Sequence, residues 1–120
     1  MPYVDGFVLA VPKDKVEAYK KMATLGRDVW MEHGALSYVE CIADDVPYGE
    51  LTSFPRAVQA TEDEVVFFSW ITYTDRESRD AINKKVMADP RMNSGEYTKD
   101  NMPFDGKRMI YGGFAQILEV

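Results

Sequence analysis

The chain is poor in the side chains that most often carry chemistry: among 120 residues there is one cysteine, Cys41, and one histidine, His33. A lone cysteine cannot close an intrachain disulfide, and no basic residue flanks Cys41 to favour its thiolate, so it is expected to act as a small buried hydrophobe. A single histidine excludes a His-based metal cluster, and Cys41 plus His33 lack further ligands at zinc-site spacing. No metal and no cofactor is expected. Basic charge is also scarce, with 14 lysines and arginines against 20 acids and a net charge of -6. The pairs Lys20-Lys21, Lys84-Lys85 and Lys107-Arg108 are too short to form the patch that a phosphate backbone requires, which speaks against nucleic-acid binding. Long apolar runs are missing too. The longest, Val65 to Ile71, is broken by Ser69 and falls far below the roughly 20 residues of a membrane helix. The opening MPYVDG lacks the basic-then-apolar pattern of a secretory signal, and with one cysteine the expected location is the cytoplasm.

What remains is an ordinary globular composition, 46% hydrophobic and 28% charged, in one expected domain spanning residues 1–120 with a core of its own. Residues 3 to 11 are rich in β-branched and aromatic side chains and stop at Pro12, which predicts a strand. Asp14 and Glu17 have capping-box spacing, and the stripe Val16, Tyr19, Ala23, Gly26, Trp30 predicts a helix from about 14 to 33, ended by Gly34. Residues 35 to 43 read as a second strand, followed by a turn in DDVPYGE. An extended segment broken at Pro55 leads to the clearest strand, VVFFSWITY at 65 to 73. Thr74 and Glu77 repeat the capping-box spacing ahead of a helix ending near Met87, before Asp89-Pro90. A short helix is expected near Ser94 to Asp100, and Met109 to Val120 reads as the last strand. There Gly112-Gly113 signals a bulge or a close backbone approach.

The order βαββαβ is that of the ferredoxin-like α+β fold, an antiparallel sheet with helices on one face. Its first and third strands are central, and here those two are the most apolar. Apolar residues fall on both faces of each, so the face without helices would be left exposed. A homodimer packing two sheets face to face, a dimeric α/β-barrel, resolves this.

The segments YVDGFVLAVP, FSW, ADPRM and above all MPFDGKRMIYGGF resemble those of the YbaA-like family, uncharacterised bacterial proteins of the dimeric α/β-barrel superfamily. The resemblance covers nearly the whole chain and implies the same fold and a dimer. It brings no catalytic residues with it. The superfamily spans cofactor-free monooxygenases, isomerases, dehydratases, haem-binding proteins and small-ligand binders, so fold leaves activity open.

Candidate functional residues follow from chemistry. Asp5 sits mid-strand at the sheet centre, where an ionised carboxylate needs a partner, and Ser69, Tyr111 and Arg108 are its expected neighbours. Asp5 as base, His33 as acid-base partner and Arg108 as anion clamp form the expected catalytic set. The alternative for Asp5 is a structural ion pair, and for His33 a cation at a helix C-terminus. Glu40 is a second acid-base candidate, but as an edge-strand residue it is expected to face solvent. Trp30, Trp70 and Tyr111 could line a pocket for a planar ligand or serve as core. The expected function is binding of a small aromatic or carbonyl-containing molecule between sheet and helices, with or without metal-free catalysis; the alternative is a dimeric interaction protein with no cavity.

Overall fold

A computed structural model describes residues 1–93 and 101–119. Four strands, β1 (Tyr3–Pro12), β2 (Ser37–Ile42), β3 (Glu64–Tyr73) and β4 (Ile110–Ala115), form one sheet. Its order is β2-β3-β1-β4 and every pairing is antiparallel, with Asp5 opposite Ile71 on one side and Gly113 on the other. Helices α1 (Val16–Glu32), α2 (Phe54–Ala57) and α3 (Arg76–Ala88) complete the fold. This is the expected α+β ferredoxin-like arrangement, with β1 and β3 at the centre.

Local chemistry explains the boundaries. At its C-terminal end α1 closes in a glycine-ended cap: Gly34 takes φ +116°, its N–H donates to Met31 O, and Ala35 N–H reaches back to Trp30 O. The expected Asp14–Glu17 cap does not form, because Asp14 falls inside a 3-10 turn at Lys13–Lys15 that runs straight on from β1. Asp75, not Thr74, caps α3, accepting from Ser78 N–H at 2.7 Å. The segment around Pro55 is not extended. Ser53 caps Arg56 N–H at 3.1 Å, and Pro55 sits in the first turn of α2, where its missing N–H costs nothing. The strand expected to reach Val120 ends at Ala115, and Val120, like the short helix expected near Ser94 to Asp100, lies outside the described residues.

α1 and α3 cover one face of the sheet. Val29, Ile71, Tyr73, Ile82 and Val86 form one buried cluster and Leu9, Val11, Tyr19, Ala23 and Phe67 another. Each wholly buried aliphatic side chain, Val29 or Val86 for instance, contributes about 1.5 to 3 kcal/mol. The second face is only partly open. The connection from 43 to 63 folds over one end of it and buries Val58 against Ala10 and Val66. Among the described residues nothing covers the other end, and Phe68, Ile110 and Phe114 are exposed there around a trough of about 640 Å³.

Candidate functional site

Between α1 and the sheet lies a cavity of about 410 Å³ whose polar centre is Glu40. Residues of a strand alternate between faces, so Tyr38 and Glu40 on β2 share one side, and Ser69, which pairs with Glu40 across β3, shares it too. Tyr19 comes from the facing side of α1, and its hydroxyl donates to Glu40 Oε1 at 2.8 Å. The hydroxyls of Tyr38 and Ser69 also act on this carboxyl. Burial nevertheless dominates and lifts the Glu40 pKa above the ordinary glutamate value, while the three hydroxyls oppose the rise. The same burial, with the carboxyl beside them, pushes the Tyr19 and Tyr38 phenols up. Both phenols therefore stay protonated. A carboxyl bonded by the Tyr19 phenol, with the Tyr38 phenol on the same strand face, in a largely apolar cavity can accept a proton from a ligand or donate one to it.

Glu40 does not face solvent as the sequence suggests. Its neighbour does: Cys41, expected to be buried, is exposed on the opposite face, opposite Phe68. The two expectations fail together because the strand's alternation runs one residue out of step with them.

Most of the remaining lining is soft and apolar. Trp30 and Phe104 form aromatic walls, with Trp30 6.1 Å from the Tyr38 ring and Phe104 meeting Tyr19 edge-on at 5.7 Å. Met22, Met87, Met92, Met102 and Met109 supply much of what remains. Arg91 borders the cavity, and its guanidinium bonds Asp89 and Glu32. Among the described residues, no group of three or more His, Cys, Asp or Glu side chains could hold a metal ion.

The expected set Asp5, His33 and Arg108 is not brought together. Asp5 is buried beside α3, where Tyr73 Oη donates to it at 2.9 Å and Arg79 binds it through two nitrogens. Ser69, Tyr111 and Arg108 do not bond it. Arg108 stands at the other end of β1, where it bonds Glu64, the cross-strand partner of Pro12, and also Asp105. His33 follows the last turn of α1, its Nε2 2.9 Å from Asp89 Oδ2. Of the aromatic candidates, Trp30 lines the cavity and its indole N–H donates to Asn83 Oδ1 at 3.0 Å. Trp70 meets Phe68 edge-on and borders both the cavity and the sheet-face trough. Tyr111 lies over Phe7 on edge strand β4 and borders only the trough.

Solved structures share this architecture. A Nitrosomonas europaea protein named as a candidate antibiotic biosynthesis monooxygenase superposes with TM-score 0.62 at 14% identity, over 97% of this chain and 90% of the other. Rv0793 of Mycobacterium tuberculosis gives 0.59 at 12% identity, covering 99% and 98%. A NIPSNAP domain protein of Burkholderia xenovorans gives 0.58 at 15%, covering 95% and 93%. Likeness at such low identity concerns the fold alone. Sequence relatives are much nearer: the protein YbaA of Escherichia coli K12, named uncharacterized, is 57% identical over 120 residues, 99% of each chain. The model of the family described as a protein of unknown function, DUF1428, matches residues 2–106, and the chain belongs to that family.

Proposed function

We propose that the protein binds a small aromatic or carbonyl-containing molecule in the cavity between α1 and the sheet, with Glu40 as the group that exchanges a proton with it. One observation carries this reading: the carboxyl of Glu40 is half-buried among Tyr19, Tyr38 and Ser69 in a largely apolar cavity of about 410 Å³. A volume of that order suits a molecule of one or two rings. The aromatic walls favour a planar ligand, and the polar cluster at Glu40 asks for a ligand oxygen at one point. In this reading the proton-handling role expected of Asp5 and His33 passes to Glu40, and Tyr19 holds the carboxyl in place. The chemistry is metal-free acid-base work on a carbonyl or phenol.

Native mass spectrometry of protein purified from its source tests the reading. Retention of a small molecule by the wild type and its loss in Glu40→Gln are expected. A wild type that carries nothing, and that binds no neutral aromatic ketone added at micromolar concentration, would overturn it.

The open end of the second sheet face supports a homodimer. Val4, Val8, Phe68, Trp70, Ile110 and Phe114 border one apolar trough there, and a monomer rarely leaves such a patch uncovered. A second copy related by two-fold symmetry is the commonest cover. The unpaired, exposed Cys41 fits a reducing compartment such as the cytoplasm.

A further inference from the structure

Gly26 occupies a buried position well inside α1, where glycine weakens a helix relative to alanine. Nothing in helix formation asks for it. Space does: a Cβ at this position would stand 2.9 Å from Tyr38 Oη, 3.6 Å from Tyr38 Cζ and 3.8 Å from Trp30 Cζ3. The first of these distances is closer than carbon and oxygen tolerate, so any side chain here displaces the Tyr38 phenol. That phenol rises from the same face of β2 as Glu40, with Trp30 against its ring. Glu40 is thus approached from the helix by Tyr19 and along its own strand by Tyr38.

We propose that Gly26 is a positioning residue: the missing side chain lets the Tyr38 hydroxyl lie against α1, and from there it serves the Glu40 carboxyl as a second phenol beside Tyr19. The role rests on reading Glu40 as the working group of the cavity. One phenol can then turn to a ligand oxygen while the other keeps the carboxyl in place. The charged and titratable groups around this centre are Tyr19 and Arg27 from α1, Tyr38 from β2 and Arg91 at the cavity border. Of these, Tyr38 is the one that Gly26 controls by contact.

Carboxyl 13C NMR on glutamate-labelled full-length protein, with Glu40 assigned through Glu40→Gln, provides the test. A hydroxyl that bonds the ionised carboxyl favours ionisation, so its loss moves the titration midpoint to higher pH. Gly26→Ala and Tyr38→Phe should each move the Glu40 midpoint upward, and the double variant should move it no further than either alone. Tyr38→Phe should also restore the melting temperature that Gly26→Ala loses, since it removes the atom that clashes. A midpoint unchanged in Gly26→Ala, or two shifts that add, would overturn the proposal. If Gly26→Ala alone does not fold, Tyr38→Phe and the double variant still decide: no shift in Tyr38→Phe, or a further shift in the double, refutes it. Binding of 6-propionyl-2-(dimethylamino)naphthalene, a neutral aromatic ketone, is read separately by its emission. A wild type that binds it should lose about tenfold in affinity on Gly26→Ala, the scale of one hydrogen bond, and unchanged affinity would count against the role. A wild type that does not bind it strikes the ligand reading, and the titration still settles Gly26.

Discussion

Arg79 grips Asp5 with a fork: Nη2 lies 2.8 Å from Oδ1, and Nε lies 3.1 Å from each carboxylate oxygen. The pair joins α3 to the central strand, and Tyr73 Oη completes the shell of Oδ2 at 2.9 Å. Such a bidentate pair fixes geometry as well as charge. The carboxylate also draws the Arg79 pKa upward.

Asp5→Asn keeps the volume but leaves the guanidinium facing a neutral amide. Breaking one side of a buried pair costs about 3 to 5 kcal/mol, which should appear as a lower midpoint in urea unfolding. Tyr73→Phe removes one hydrogen bond and should cost less, about 1 kcal/mol. Unchanged stability in Asp5→Asn, together with lost ligand binding, would return Asp5 to the functional role that the sequence suggests.

Glu64 sets an acid limit to stability. Hydrogen bonds from Arg108, opposed by partial burial and helped by Thr61, lower its pKa to about 2. A carboxyl lowered in the folded state stabilises fully above its unfolded pKa of about 4.3 and loses that contribution as pH falls towards about 2. Glu64→Gln should therefore be less stable than wild type at pH 7 and should lose less between pH 4 and 2. Thermal melts over that range check the sign. Glu40 has the opposite sign. Its raised pKa means that its contribution is present below the unfolded glutamate value and is lost as pH rises through the folded one, so Glu40→Gln should flatten that decline.

The adjacent glycines of β4 should respond differently to a methyl group. At Gly113 a Cβ would lie 2.6 Å from the Tyr3 ring and 2.7 Å from Arg79 Nη2, whereas at Gly112 the nearest atom is in the Phe114 ring at 3.7 Å. Gly113→Ala should cost about 1 to 3 kcal/mol as an overpacked contact. Gly112→Ala should be near neutral. Equal effects in denaturant unfolding would contradict the geometry.

If two copies pack through the open end of the sheet, sedimentation should give about twice 13.7 kDa. Phe114→Lys places a charge in that trough and should give a folded monomer. A wild type that sediments as a monomer at micromolar concentration would reject the face-to-face arrangement.

Much of the fold is legible because periodicity survives in it. The apolar runs over 3–11 and 65–73 occupy the two central strands, and Gly34 ends α1 where its residue type predicts. The close approach signalled by Gly112-Gly113 is met at Gly113, whose register with Asp5 carries no bulge. The site is much less legible. Its floor depends on which way β2 faces, and ALSYVECIA alternates too weakly to fix that parity, so Glu40 and Cys41 are assigned to the wrong sides. Arg79 is 74 residues from Asp5 and carries no local signal of the pairing. Near Pro55, the sequence shows a residue that breaks strands, and the same property suits the first turn of a helix.

The lining of the cavity has a mechanical consequence. Five of the seven methionines border it, whereas Trp30 is tethered to Asn83 and the Tyr19 phenol is tied to Glu40. Unbranched thioethers turn between rotamers at little cost, while hydrogen-bonded aromatic rings do not. The chamber thus has a rigid half and a compliant half: for a ligand of the proposed kind, the first would dictate where its oxygen sits and the second would take the outline of its carbon skeleton. Selectivity would reside in the position of one functional group, and a series of homologues differing only at the far end of the molecule should bind with similar affinity.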